Sequence, residues 1–178
     1  MHISSLIRRL APCIAVVAVL TSMGPTAGAT SSDSNTEITH CVVSVIDQLE
    51  SGEYVLSDEE CYSEFSSAME SLGLGESADT PGKAEAAALS IQSTLATHYD
   101  GASYTGSSFS VLGINCLGGY VNMSASWDNR VSSTYSSFCP RVRHWTGVNL
   151  SGQYQDTLPS GNLSSPVNNT VSSIQYLT

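Results

Sequence analysis

The pattern of apolar and polar positions changes several times along the chain, and each change predicts an element. After Arg8 and Arg9 comes a short apolar run over 10–20, and Ala27-Gly28-Ala29 follows it. That order predicts a secretory signal peptide over residues 1–29, with an apolar core too short to span a bilayer. Residues 30–37 are rich in Ser, Thr and Asp and read as a disordered leader. Residues 41–46 are β-branched and read as a strand, Glu50-Ser51-Gly52 as a turn, and residues 54–56 as a second strand. Ser57 and Glu60 have the spacing of a capping box, and Cys61, Phe65, Ala68, Met69 and Leu72 then fall on one helical face that stops at Gly73. Residues 38–74 are therefore expected to form a small ββα module, too small to be stable alone without a disulfide.

Residues 75–92 read as a linker, with helical composition near 83–91 passing into a strand near 93–100. From there the chain is rich in Gly, Ser, Thr, Asn and aromatics, with frequent turn signals, which predicts an all-β sandwich over 93–178. This stretch repeats. His98-Tyr99-Asp100-Gly101-Ala102-Ser103-Tyr104-Thr105-Gly106 aligns with His144-Trp145-Thr146-Gly147-Val148-Asn149-Leu150-Ser151-Gly152 at an offset of 46. Asp128-Asn129-Arg130-Val131-Ser132-Ser133 aligns with Asn168-Asn169-Thr170-Val171-Ser172-Ser173 at an offset of 40. The two elements come in the same order in both copies.

Charge narrows the partners. Once residues 1–29 are set aside, four basic residues (Lys83, Arg130, Arg141, Arg143) face sixteen acidic ones. Most of the acidic residues precede His98, which argues against nucleic acid or an anionic membrane as partner. An ion site in the nearly neutral second half must be built mainly from carbonyl, amide and hydroxyl oxygens. The remaining cysteines, Cys41, Cys61, Cys116 and Cys139, are even in number and lack a C-x-x-C pair, which favours disulfides in an oxidising compartment. Of three connectivities, Cys41–Cys61 with Cys116–Cys139 keeps each bridge within one apparent unit.

The two repeated elements resemble those of the βγ-crystallin Greek key. Tyr99, Tyr104 and Gly106 match the family's hairpin signature, and Trp145, Leu150 and Gly152 match it with leucine in place of the second aromatic. Both hexapeptides match the family's calcium signature of two Asn/Asp, two free positions, Ser/Thr and Ser. The resemblance covers residues 98–178. It also extends to secreted actinobacterial proteins grouped with metalloprotease inhibitors. It implies an all-β, two-Greek-key sandwich preceded by the ββα module, and a secreted, non-enzymatic protein that binds two calcium ions. The implied ligands are Asp128 or Asn129, the carbonyl of Arg130 and Ser132, shared with Asn168 or Asn169, the carbonyl of Thr170 and Ser172. Hairpin carbonyls near Ser103 and Asn149 would complete each shell. Val131 and Val171 would anchor the loops, and Ser133 and Ser173 would hydrogen-bond them. Asp128 is the single formal anion in the two hexapeptides, which implies weak binding, on the order of 10⁻⁵ to 10⁻³ M. The alternative is that these loops only turn the chain through Asx hydrogen bonds.

A rival function follows from Cys139-Pro140-Arg141-Val142-Arg143, a candidate disulfide-braced loop through which the protein would inhibit an extracellular protease. The chain contains no H-E-x-x-H or G-x-S-x-G motif and no zinc spacing of Cys and His, so no catalytic residues are assigned. His98 and His144, at matching repeat positions beside aromatics, read as packing residues.

Overall fold

The computed structural model describes residues 37–72 and 92–178. The expected signal peptide at 1–29, nearly all of the 30–37 leader, and the linker with its short helix lie outside the described residues. In chain order the elements are β1 (His40–Gln48), β2 (Tyr54–Leu56), β3 (Glu60–Tyr62), α1 (Phe65–Ser71), β4 (Ser93–Tyr99) and β5 (Ser108–Gly113). There follow β6 (Tyr120–Asn122), β7 (Ser133–Tyr135), β8 (Arg141–Gly147), β9 (Ser151–Thr157), β10 (Gly161–Asn162) and β11 (Ser173–Leu177).

The strand order is that of two interlocked Greek keys. β4 pairs with β5 and β7, while β6 leaves that sheet to pair with β11. In the second copy β8 pairs with β9 and β11, and β10 crosses over to pair with β7. Each motif thus lends its third strand to the other's sheet, and neither can bury its apolar face without its twin. The shared core is built from Leu95, Phe109, Val111, Val121, Trp127, Val131, Val142, Val171, Ile174 and Tyr176.

The N-terminal segment departs from expectation in two ways. β1 lies parallel to β5, pairing Cys41 with Phe109 and Val43 with Val111, so it extends the first sheet rather than forming a separate module. Cys41, Val43 and Tyr54 accordingly join the common core. The helix expected from Ser57 begins only at Phe65, because Glu60–Tyr62 is a strand paired with β1. Cys61 lies directly opposite Cys41 in that pairing and is bridged to it. The cross-strand link holds Cys61 extended and overrides its helical spacing. Ser57 caps no helix; its hydroxyl accepts the Ser44 N–H at 3.0 Å. The second bridge joins Cys116 to Cys139. Each closes a loop of about 20 residues, worth roughly 3 kcal/mol through the unfolded chain.

A buried polar chain ties the two sheets together. The Thr134 hydroxyl lies 2.9 Å from His98 Nδ1 and 2.7 Å from His144 Nε2. His98 Nε2 is 3.1 Å from the Tyr176 hydroxyl, and His144 Nδ1 is 3.3 Å from the Gln155 carbonyl. The protons can run in one direction only. A carbonyl must accept, so His144 carries its proton on Nδ1 and takes one from Thr134; Thr134 then accepts from His98 Nδ1, leaving His98 Nε2 to accept from Tyr176. Both imidazoles are neutral and fully buried. Burial pushes His144 down to about 4 and, together with His144, holds His98 well below its ordinary value.

Candidate functional site

The two hexapeptide loops face each other and exchange reciprocal backbone bonds. Asn129 N–H donates to the Val171 carbonyl at 3.0 Å, and Asn169 N–H donates to the Val131 carbonyl at 3.0 Å. Asn129 and Asn169 are both left-handed, with φ of 61° and 58°. Asparagine tolerates that conformation better than most residues, which accounts for its place there. Val131 and Val171 are wholly buried and pin each loop to the core, while Asp128, Asn129, Asn168 and Asn169 stay exposed. The sequence therefore alternates anchor and oxygen donor within a few residues.

The side-chain oxygens cross between the loops. The Ser172 hydroxyl donates to Asp128 Oδ1 at 2.6 Å, and the Ser132 hydroxyl donates to Asn169 Oδ1 at 2.7 Å. Of the paired choices left open by the sequence, Asp128 and Asn169 are the ones that meet a serine of the opposite loop. Asn129 instead gives its amide to Asp128 Oδ2 at 2.8 Å, and Asn168 makes only its backbone bond to Ser164 within its own turn. Arg130 and Thr170 stand at equivalent places, each bonding a carbonyl four residues earlier, that of Ser126 and Pro166 respectively. The Arg130 charge is already engaged: its guanidinium lies 2.7 Å from Asp100 Oδ2 and 4.6 Å from the Trp127 ring centroid.

Each loop also meets its own hairpin. Ser132 N–H donates to the Tyr99 carbonyl, and Ser172 N–H to the Trp145 carbonyl. The next serine locks the hairpin: Ser133 donates to the Gly101 carbonyl and accepts from Tyr104 N–H, and Ser173 does the same with Gly147 and Leu150. The hairpin tips carry pairs of left-handed residues, Ser103 and Tyr104 in one and Asn149 and Leu150 in the other. Gly106 and Gly152 close the hairpins at φ of 80° and 82°, where a Cβ would strike Asp100 Oδ1 and Thr146 Oγ1. Leu150 thus adopts the backbone of Tyr104, although it lacks the ring.

The donor set fits a hard divalent cation. Every group that converges is a carboxylate, amide, hydroxyl or carbonyl oxygen, the ligands that calcium prefers. The other close grouping, Cys41, Cys61 and Glu59, is no metal site, because both sulfurs are consumed in their disulfide.

Two residues to which the sequence assigned no part in ion binding join this site. Asn122 Oδ1 accepts the Asn149 N–H at 2.8 Å, and Asn162 Oδ1 accepts the Ser103 N–H at 2.6 Å. They stand at the same offset of 40 as the hexapeptides, so the repeat begins six residues earlier than its most obvious part.

The candidate inhibitory loop is not a loop. Arg141 and Arg143 belong to β8, an inner strand paired on both sides. Arg143 is spent on Asp156 at 2.7 Å and lies over the Tyr154 ring, while Arg141 bonds the Thr178 carbonyl. The two arginines share one face of a central strand and are held there by these partners, so they do not protrude on a braced loop.

Among the described residues, no helix is long and apolar enough to cross a membrane. No protein-family model matches the chain, and no curated protein matches it. Among solved structures it is similar to the N-terminal domain of protein S, with 16% identity over 47% of this chain and 94% of that one and a TM-score of 0.38. It is also similar to a βγ-crystallin domain of Abundant Perithecial Protein from Neurospora crassa in the Ca2+-bound form, with 19% identity over 49% and 92% of the two chains and a TM-score of 0.39. A βγ-crystallin domain from Flavobacterium johnsoniae gives 23% identity over 47% and 94%, with a TM-score of 0.37. These likenesses are too distant to carry function. The exchange of third strands between two repeats is what establishes the architecture: an all-β, two-motif Greek-key fold.

Proposed function

We propose that this protein is a secreted, non-enzymatic calcium-binding module that takes two calcium ions between its paired loops. The observation that carries the reading is the crossed contact of Ser172 with Asp128 and of Ser132 with Asn169. Each is a pair of oxygens from opposite loops held within hydrogen-bonding distance, which a cation could accept together. Asp128 and Ser172 would hold one ion and Asn169 and Ser132 the other, with the carbonyls of Arg130 and Thr170 and the hairpin tips contributing further oxygens. Asn129 and Asn168 would stand in reserve beside their loops. Two disulfides and the signal-like residues 1–29 support an extracellular setting, where calcium is abundant.

Binding of this kind stabilises the folded state by mass action. With a Kd of about 10⁻⁵ M, a millimolar calcium concentration would add about 2.7 kcal/mol. Thermal melting in calcium against chelator, together with calorimetric titration, tests the reading. A melting temperature indifferent to both, with no heat at millimolar calcium, would mean that the loops serve only to turn the chain. Trp127, buried and adjacent to Asp128, offers an intrinsic fluorescence readout of the same event.

A further inference from the structure

We propose that Asn122 and Asn162 are the positioning residues of the two calcium corners, each holding one hairpin tip against its serine pair, and that Glu53 braces the Asn122 corner alone. The proposal rests on the calcium reading and concerns residues outside both hexapeptides.

The two asparagines occupy equivalent places. Asn162 is the register partner of Ser133, and the next residue's N–H bonds the Ser132 carbonyl. Asn122 is the register partner of Ser173, and the next residue's N–H bonds the Ser172 carbonyl. From these positions each carboxamide oxygen reaches the N–H of a left-handed residue at a hairpin tip, Ser103 with φ 55° or Asn149 with φ 54°. A non-glycine residue occupies that conformation at a cost and persists there only when its surroundings hold it. The serine pair binds the tip from one side and the asparagine from the other. Each corner therefore gathers a hairpin tip, two serines and one asparagine, and the asparagine fixes where the tip carbonyls point.

Beyond the exchange of Asp128 for Asn169 as the partner of the serine, the corners differ in one further respect. Asn122 Nδ2 also donates to Glu53 Oε1 and to Asn149 Oδ1, each at 2.8 Å. Glu53 is delivered by the β1–β2 hairpin, which is bonded to β6 through the Gly52 carbonyl and Tyr120 N–H at 3.1 Å. Among the described residues no carboxylate bonds the Asn162 side chain. The N-terminal segment thus adds a carboxylate to the corner that already contains Asp128 and Ser172, and leaves the Asn169–Ser132 corner as the repeat made it. This gives the segment a function: it widens the difference in charge that Asp128 and Asn169 already set between the two sites.

The test uses the chain without residues 1–29, isotopically labelled, as parent and as Asn122→Ala, Asn162→Ala and Glu53→Ala. Calcium is titrated by calorimetry, and the amides of Ser132 and Ser172 are followed by NMR to assign each step. Asn162→Ala should weaken the step sensed at Ser132 by about tenfold, as loss of an outer-shell partner does, and leave the Ser172 step unchanged. Asn122→Ala should do the reverse, and Glu53→Ala should weaken the Ser172 step only. In chelator the Ser103 amide should exchange faster in Asn162→Ala and the Asn149 amide faster in Asn122→Ala, with melting temperatures near the parent's. If the parent binds calcium and the variants keep both steps, or lose both together with a lowered melting temperature in chelator, the positioning role is overturned and the calcium reading stands. A parent without any calcium step overturns both.

Discussion

His98 and His144 meet edge to face in the core, their ring centroids 5.7 Å apart, although each belongs to a different sheet and a different repeat. Thr134 passes a proton-donating contact between them, and no water reaches either ring. Neither can gain a proton without burying a charge and reversing its hydrogen bond to a hydroxyl group.

Acid should therefore unfold the protein through these two residues. Their folded pKa values lie below the ordinary value near 6.5, so their contribution is complete above that pH and is lost as pH falls towards about 4. For His144 the difference between 6.5 and about 4 corresponds to on the order of 3 kcal/mol. Asp156, held low by its bond to Arg143 and partly opposing the burial of His144, acts with the same sign at lower pH. Denaturant melts from pH 7 to 4 should show a stability loss that is clearly shallower in His144→Gln. Equal slopes would remove the histidines from the explanation.

Exchange of one charge should move calcium affinity between the corners. Asp128→Asn retains an oxygen for Ser172 but removes the anion, and should weaken one binding step by about tenfold or more. Asn169→Asp should strengthen the other, because it gives Ser132 a carboxylate partner. Calorimetry on the two variants, and on the double variant, reads both effects.

Removal of either disulfide should destabilise without altering the strand order. Replacing Cys116 and Cys139 with alanine should cost roughly 3 kcal/mol, seen as a lower denaturant midpoint. The Cys41 and Cys61 pair should cost a similar amount, but with a local consequence: β3 loses its covalent hold on β1. Faster amide exchange at residues 60–62, with β8 unchanged, would mark that difference.

Gly106 and Gly152 leave no room for a side chain. Alanine at either should cost roughly 1–3 kcal/mol from the positive φ alone, and more because the new Cβ would displace Asp100 or Thr146. Gly106→Ala should be the more damaging, since Asp100 also holds Arg130. Thermal melts of the two variants rank them directly.

Much of this was legible in the chain itself, and for local reasons. A repeated Asn/Asp-Asn/Asp-x-x-Ser-Ser stretch specifies a left-handed turn, an apolar anchor and two hydroxyls within six residues. The hairpin glycines specify positive φ. Of the three connectivities open to the four cysteines after residue 29, the local one expected from their spacing is the one formed. The turns and hairpins depend on neighbours a few residues away, and local sequence encodes such neighbours directly.

The remainder was decided by surfaces that meet only in the folded state. Nothing local tells β1 to lie parallel to β5, and the spacing from Cys61 to Leu72 reads as one helix until the pairing with Cys41 draws its first turn into a sheet. Arg141 and Arg143 looked like a presented loop until β9 and β11 closed on both sides of their strand. The reach of Asn122 and Asn162 to hairpins far along the chain depends on strands crossing between sheets. Strand pairing is a choice among distant edges of similar hydrogen-bonding capacity, and it is settled by which apolar faces can be buried together.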